Sequence, residues 1–586
     1  MCGILAIIGR DSSGKAAERA LDKLSHRGPD DSGIVTFPQA ILGATRLAFV
    51  DLSPLGHQPM KDEERDVAIA FNGEIYNYKE LRKGLEEKGR RFKSESDTEV
   101  VLALYIEYGQ ECVKYLNGMF AFTIWDEKKQ ELFLARDRFG EKPLYFAHDP
   151  QGRLVVASEI KALFAAGVAG EIDPVGIDLY LALTYVPPWR SIYKNVHVIL
   201  PAHRGVYKND SIRTEQYWQL EHKPLNISYE EAKQELRRLL ADAVPKRLIA
   251  DVEIGSFLSG GVDSTLVTAY AQRGRSNRIK TFALGYDDYI NELPYAEDAS
   301  KKIGTDHRVL RANGEMIEEL EAVLGYFDEP HGDSADLAQH LLAKETSKYV
   351  KAALSGDGGD ELFLGYGWYW NYWHTSKISR VKNFLLSNPF SEHLKLITAF
   401  PESMRKSILH DGAYTGVERL DMLVQDIPGN GIEKINLFDI LTYLPGQLLT
   451  KVDQTSMMHS LEVRSPFLDH KLAEFAFNLP MEYKTNHISG KLILKDVLAE
   501  IMPREFVDRK KQGFGAPIDQ WLNEEKIKAY VQKELGRGAP VYRLLNEDVV
   551  QKVLIQLQKS NKRKDLYRIW TLLCLAVWAR MHQNSF

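Results

Sequence analysis

Two domains are predicted, an N-terminal one of stacked β-sheets flanked by helices and a C-terminal α/β one built on a parallel sheet. Three observations lead there. At 586 residues the chain exceeds what one hydrophobic core usually organises. Positions up to about 165 alternate short apolar runs with turn clusters. Between Ile254 and Leu284 a strand, a glycine loop, a helix and a second strand follow one another, the βαβ order of a parallel sheet with helical cover. A composition of 44% hydrophobic and 27% charged residues is that of an ordinary globular protein.

In the N-terminal part, strands are predicted at Gly3–Ile8, Val67–Phe71, Met119–Trp125 and Glu131–Ala135, with two helix-like stretches among them. Around Val206–Glu221 the text turns polar and loses its period, and Ser228 with Glu231 then reads as a capping box opening a helix. The boundary is therefore set between 210 and 211, dividing the chain into residues 1–210 and 211–586. Leu236, Leu239, Leu240, Ala243 and Val244 recur at helical spacing before Pro245, which should end or kink that helix. The βαβ unit comprises strand Ile254–Leu258, helix Ser264–Gln272 and strand Lys280–Leu284. Beyond about Ile378 helical periodicity dominates, with an apolar helix at Leu566–Trp578.

A formal net charge of −6, from 75 basic and 81 acidic residues, lacks the basic excess that binding a phosphate backbone favours, which argues against nucleic acid as a partner. Cys2, Cys112 and Cys574 are an odd number without metal-ligand spacing, which argues against a disulfide framework or zinc site. The N-terminus lacks the pattern of a signal peptide, and no uncharged apolar run reaches the roughly 18 residues of a spanning helix, so a cytoplasmic location without membrane contact is expected.

Cys2 follows the initiator Met, a residue normally removed before a small side chain. Removal leaves a thiol and a free α-amine on one residue, and the amine, titrating near ~7.7–8.0, can accept the thiol proton. Taken alone, Cys2 reads better as a small hydrophobe opening a strand. Other segments change that: His26–Asp30 reads HRGPD, Arg46–Asp51 reads RLAFVD, Asn72–Asn77 reads NGEIYN and Ser96–Glu99 reads SDTE. In this order and spacing the set resembles the glutaminase domain of class II, N-terminal-nucleophile amidotransferases, with NGEIYN especially close to the asparagine synthetase version. The resemblance implies an αββα sandwich in which Cys2 is the nucleophile. It also implies that Asn72 and the Gly73 N–H stabilise the oxyanion. Glutamine would be bound by Arg46, Leu47, Val50, Asn72, Gly73, Glu74 and Asp97, with Arg46 forking onto the α-carboxylate and Asp97 with Glu74 facing the α-ammonium. In isolation Asn72–Gly73 reads as a hairpin turn.

Leu258–Ser264 reads LSGGVDS between a strand and a helix, so its backbone N–H groups and the helix N-terminus can wrap a polyphosphate. It matches neither the Walker A spacing nor the dinucleotide fingerprint. It resembles the pyrophosphate loop of the ATP pyrophosphatase superfamily, whose members cleave ATP between the α- and β-phosphates. Further resemblance covers SGDGGDE at Ser355–Glu361, VDQTSMMHSLEVRSPFLD at Val452–Asp469, GKLILKDVL from Gly490 and KQGFGAPIDQWL from Lys511, nearly the whole chain. It implies ATP binding by Leu258, Ser259, Gly260, Gly261, Asp263, Ser264, Leu284, Ser355 and Gly356. A carboxylate inside a phosphate loop calls for a cation, so Asp263 and Asp360 are expected to hold Mg²⁺. Asp357 and Lys491 are expected to be catalytic, Lys491 assisting at the acyl-adenylate by stabilising phosphate charge as ammonia attacks. Read alone, the 355–361 segment is equally an acidic turn and Lys491 a solvated lysine.

The implied reaction hydrolyses glutamine at Cys2, adenylates the aspartate side chain with Mg-ATP and aminates it to asparagine, AMP and pyrophosphate, with glutamine, aspartate and ATP as small-molecule partners. A homodimer is implied by analogy alone. Leu364 stands where the LFGGY version has glycine, Ser465 replaces an apolar residue, and Asp336–Ala338 lacks a proline, so a uronic acid sugar or a natural-product acid is an alternative acceptor. Rival readings are a β-lactam-forming relative, against which Cys2 argues, a tRNA-modifying pyrophosphatase, and an inactive regulator that kept the fold. The aromatic stretch Trp368–Trp373 reads as core or interface, or else as acceptor pocket.

Overall fold

The computed structural model describes residues 1–9, 14–286, 292–312, 316–374, 389–410, 420, 431–486, 488–509, 517–560 and 562–583. Two six-stranded antiparallel sheets form the N-terminal part. The first runs, in spatial order, β10 (His197–Val198), β8 (Tyr145–His148), β9 (Leu154–Ala157), β1 (Gly3–Ile8), β3 (Ala40–Arg46) and β2 (Asp31–Thr36). The second runs β12 (Ser211–Gln216), β11 (His203–Lys208), β7 (Glu131–Arg136), β6 (Gly118–Asp126), β5 (Val67–Ile75) and β4 (Met60–Asp62).

Period-two alternation explains the stacking. In β1, Ile4, Ala6 and Ile8 gather with Ala68, Ala70 and Leu134 between the sheets. Leu5 and Ile7 turn outward to Ala16, Ala17 and Ala20 of helix Gly14–Asp22. Helix Asp97–Tyr108 covers the outer face of the second sheet beside β5, completing four layers, αββα. Asn72 and Gly73 lie inside β5, opposite Ala121 and Phe120 of β6, so the hairpin-turn reading of this pair does not hold. Among the described residues five helices flank these sheets, three more than the two helical stretches visible in the sequence, and they include Ile160–Ala166 and Pro174–Leu183. The second is buried on nearly every side and therefore carries no amphipathic period.

Strand β12 corrects the boundary at 210/211. It pairs with β11 across a turn at Asn209–Asp210 and so belongs to the N-terminal sheet. As an edge strand it is exposed at every position but Ile212, which packs on the core between the sheets, and a single apolar residue leaves no alternation to read.

The C-terminal sheet is parallel, in the order β15 (Asp306–Ala312), β14 (Lys280–Tyr286), β13 (Ile254–Phe257), β16 (Ala352–Leu354) and β17 (Glu462–Arg464). The chain moves outward from β13 through β14 to β15 and then returns to the other side of β13, placing a topological switch point at the carboxyl ends of β13 and β16, where α/β sheets bind ligands. Helix Tyr229–Lys246 opens on the Ser228/Glu231 capping box and ends one residue beyond Pro245. Helix Arg563–Met581 buries Ile569–Ala579, and no described helix is long and apolar enough to cross a membrane.

Candidate active sites

Cys2 stands immediately before β1. The β1–β3 register pairs Gly3 with Thr45, which brings Cys2 opposite Arg46. The Cys2 backbone N–H donates to Asn72 Oδ1 at 3.0 Å. The Asn72 Nδ2 is buried and has no hydrogen-bond partner among the described residues, the arrangement of a donor kept for a ligand. Burial pushes the Cys2 thiol up, while the N-terminal ammonium, the Leu47 N–H and Arg46 pull it the other way. Gly73 is required by close approach, since a Cβ there would lie 2.1 Å from the Met119 carbonyl oxygen.

Arg46 Nη2 donates to the carbonyls of Val50 and Asp51 at 2.9 and 2.7 Å, so part of its fork ties down the Leu47–Asp51 loop. Asp97 opens helix Asp97–Tyr108 behind the N-cap Ser96 and accepts the Ile75 N–H at 2.9 Å. Burial raises its carboxyl to about 6. Glu74, one residue after Gly73 on β5, is raised well above the ordinary carboxylate range by burial, and Arg464 opposes that shift. Met1 is buried, its ammonium 3.1 Å from Glu462.

At the switch point of the parallel sheet a cavity of about 690 Å³ opens. Leu258–Ser264, Leu284, Ser355–Asp357, Asp360, Lys451 and Lys491 all line it, so every residue assigned by sequence to nucleotide, metal or acyl-adenylate meets at one place. Gly260 has φ +75°, and a Cβ there would lie 2.6 Å from the Tyr295 carbonyl carbon, which explains the glycine. Helix Val262–Gln272 begins at Gly261 with no side chain capping it, leaving its N-terminal dipole facing the cavity. Gly356 and Gly359 let the 355–361 segment pack directly on Asp263.

Lys491 ion-pairs with Asp263 and, at 2.8 Å, with Asp360. Two carboxylates converging on one ammonium make a place for positive charge, and two is the number of carboxylates that Mg²⁺ takes when substrate phosphates and water complete its shell. The described residues hold no group of three or more metal-ligating side chains. Desolvation raises the Asp357 carboxyl, with Ser355 and Lys451 opposing and Asp263 and Asp360 reinforcing the rise.

Of the departures noted in the sequence, Leu364 adopts φ +56°, a conformation that favours glycine, while fully buried. Ser465 finds a partner in Ser355, their hydroxyls 3.1 Å apart. Trp368 and Tyr369 donate to Asp439 at 3.0 and 2.6 Å, and Tyr369 is buried, while Tyr366, Trp370 and Tyr443 reach the cavity wall; the side chains of residues 371–373 lie outside the described residues. The motif beginning at Lys511 lies outside the described residues as far as residue 516.

Sequence reasoning missed several residues. Gln58 Nε2 lies 3.9 Å from Cys2 Sγ and 3.3 Å from Thr98 Oγ1, with no local pattern to mark it. Arg27, within HRGPD, donates to the Cys2 carbonyl at 3.1 Å and to both oxygens of Asp453 in the C-terminal domain at 2.8 and 3.1 Å. Lys451 pairs with Asp333 at 2.8 Å on the cavity wall.

A family model described as Glutamine amidotransferase domain matches residues 1–218, and one described as Asparagine synthase matches residues 235–580. The chain is 31% identical to asparagine synthetase (glutamine-hydrolyzing) 1 of Bacillus subtilis strain 168, over 99% of this chain and 96% of that one. It is 33% identical to asparagine synthetase (glutamine-hydrolyzing) 3 of the same organism, over 85% and 83%. It is 28% identical to the amidase chyE of Penicillium rubens, over 91% and 92%.

Proposed function

Since the chain belongs to the asparagine synthase family, we propose that it is a glutamine-hydrolysing asparagine synthetase with two chemically distinct sites. What carries this reading is the pairing, within one chain, of Cys2 beside an Asn72 whose Nδ2 has no partner among the described residues and a glycine-loop cavity where Asp263 and Asp360 meet Lys491.

At the first site, removal of Met1 leaves the Cys2 α-amine next to Asn72 Oδ1, and that amine takes the thiol proton. The thiolate attacks the glutamine amide; Asn72 Nδ2 and the Gly73 N–H receive the negative charge that develops on oxygen. Arg46 faces the α-carboxylate, and Glu74 with Asp97 faces the α-ammonium. Ammonia leaves, and water hydrolyses the glutamyl thioester.

At the second site the Leu258–Ser264 loop and the N-terminus of helix Val262–Gln272 hold the phosphates of ATP, the nucleotide the family uses. Asp263 and Asp360 are the residues that would hold Mg²⁺, which when bound would neutralise phosphate charge. The aspartate side-chain carboxylate attacks the α-phosphorus, pyrophosphate departs, and ammonia displaces AMP to give asparagine. Lys491 stays beside the phosphate throughout and stabilises its charge. A cytoplasmic homodimer is part of the proposal and rests on the family resemblance alone.

The cavity wall formed by Tyr366, Trp370 and Tyr443 favours one second reading, the same chemistry on a bulkier carboxylate such as a uronic acid sugar. Acceptor screening with Mg-ATP and ammonia separates the two. Pyrophosphate release driven by aspartate supports the first, and release driven only by ring-bearing acids replaces it with the second.

A further inference from the structure

Strand β17 is three residues long, with Val463 packed in the core of the parallel sheet. Its alternation sends Glu462 and Arg464 the other way, toward the N-terminal domain. Arg464 is fully buried. Its Nε donates to Glu462 at 2.6 Å, its Nη1 donates to the carbonyls of Arg247 and Ile249 at 2.9 and 3.0 Å, and its Nη2 lies 3.4 Å from Glu74 Oε2. The guanidinium carbon also sits 5.0 Å from the ring centre of Phe49, within the loop that Arg46 ties down. The main chain of the same strand reaches the other site. The Arg464 carbonyl accepts the Ser355 N–H at 2.9 Å, and the next residue, Ser465, meets the Ser355 hydroxyl at the cavity wall.

We propose that Arg464, a residue of the synthetase domain, is a positioning residue for glutamine: it holds and orients the Glu74 carboxylate, so that the glutamine site is complete only with β17 in place. The proposal rests on the reading of Glu74 as a contact of the glutamine α-ammonium. The groups facing Glu74 are Arg464 and the Met1 ammonium, which favour its charge, and Asp97 and Glu462, which oppose it. Burial already favours neutral Glu74, and removing the Arg464 cation favours it further. Neutral Glu74 then exerts no pull on an ammonium. Because β17 also holds Ser355, the register of this short strand is shared between the two sites.

The test measures steady-state glutaminase activity and ammonia-supported synthesis in the full-length protein for Arg464→Met, Arg464→Lys, Glu74→Gln and the double variant Arg464→Met/Glu74→Gln. Arg464→Met is expected to raise KM for glutamine roughly tenfold to a hundredfold, the order expected when a carboxylate loses a neighbouring cation that favours its charged form, with a much smaller change in kcat. The deficit should shrink as pH rises and Glu74 ionises unaided. Arg464→Lys should recover part of it, and the double variant should bind glutamine no worse than Glu74→Gln alone. Ammonia-supported synthesis that survives in Arg464→Met separates this effect from a failure to fold. An unchanged KM in Arg464→Met beside a raised one in Glu74→Gln overturns the proposal alone, as do single effects that multiply in the double variant. A wild-type KM in Glu74→Gln overturns the glutamine reading of Glu74 and the proposal with it.

Discussion

Asn72 accepts the backbone N–H of Cys2 through its Oδ1 at 3.0 Å, while its own Nδ2, equally buried, has no partner among the described residues. One amide thus fixes the nucleophile's main chain and keeps a donor for the charge that thiol attack creates. Asn72→Ala should lower kcat for glutamine hydrolysis by roughly 10²–10³, about 2.7–4 kcal/mol, as the loss of one oxyanion-hole donor does elsewhere. Ammonia-supported synthesis should be retained. A kcat within twofold of wild type would place the oxyanion elsewhere.

Burial raises the Asp97 carboxyl to about 6. Its charged form is the one that attracts an ammonium. KM for glutamine should therefore be flat above that value and rise about tenfold per unit as pH falls below it. A pH series from about 5 to 8 tests this, and Asp97→Asn should remove the inflection.

Lys491 neutralises both Asp263 and Asp360 at the cavity. Lys491→Met should depress aspartate-dependent pyrophosphate release by two to three powers of ten, on the order of other losses of preorganised charge. Glutamine hydrolysis, measured alone, should continue. Equal loss of both activities would show that Lys491 acts on the whole fold.

A methyl group at Gly73 would meet the Met119 carbonyl oxygen at 2.1 Å, and that oxygen belongs to the neighbouring strand and cannot step aside. Gly73→Ala should cost about 1–3 kcal/mol of stability, the usual penalty of overpacking. Thermal unfolding reads it directly. An unchanged Tm would mean that β5 and β6 separate more easily than their register implies.

How much of this was legible in the sequence depends on the range of the interaction. Strand Gly3–Ile8 is bounded as its apolar run suggests, and the Ser228/Glu231 capping box forms, because both are local. The glycine loop could be read because glycines and an acid between strand and helix leave few chemical alternatives. Asn72–Gly73 was ambiguous until β6 was seen beside it, since strand and turn share that dipeptide. Strand β12 was hidden because Ile212 is its one apolar residue and the rest of it is exposed. Gln58, Arg27 and Arg464 act across separations of 56, 426 and hundreds of positions, and only the folded chain brings their partners within reach.

The central claim is that one chain moves the amide nitrogen of glutamine onto an ATP-activated aspartate. Amide-¹⁵N glutamine, L-aspartate and Mg-ATP incubated with the purified protein test it most directly, with product analysis by mass spectrometry. The account predicts ¹⁵N-asparagine, AMP and pyrophosphate in equal amounts, and loss of the label transfer in Cys2→Ala while unlabelled ammonia still supports synthesis. ADP with inorganic phosphate in place of AMP, or label transfer that survives Cys2→Ala, would contradict it.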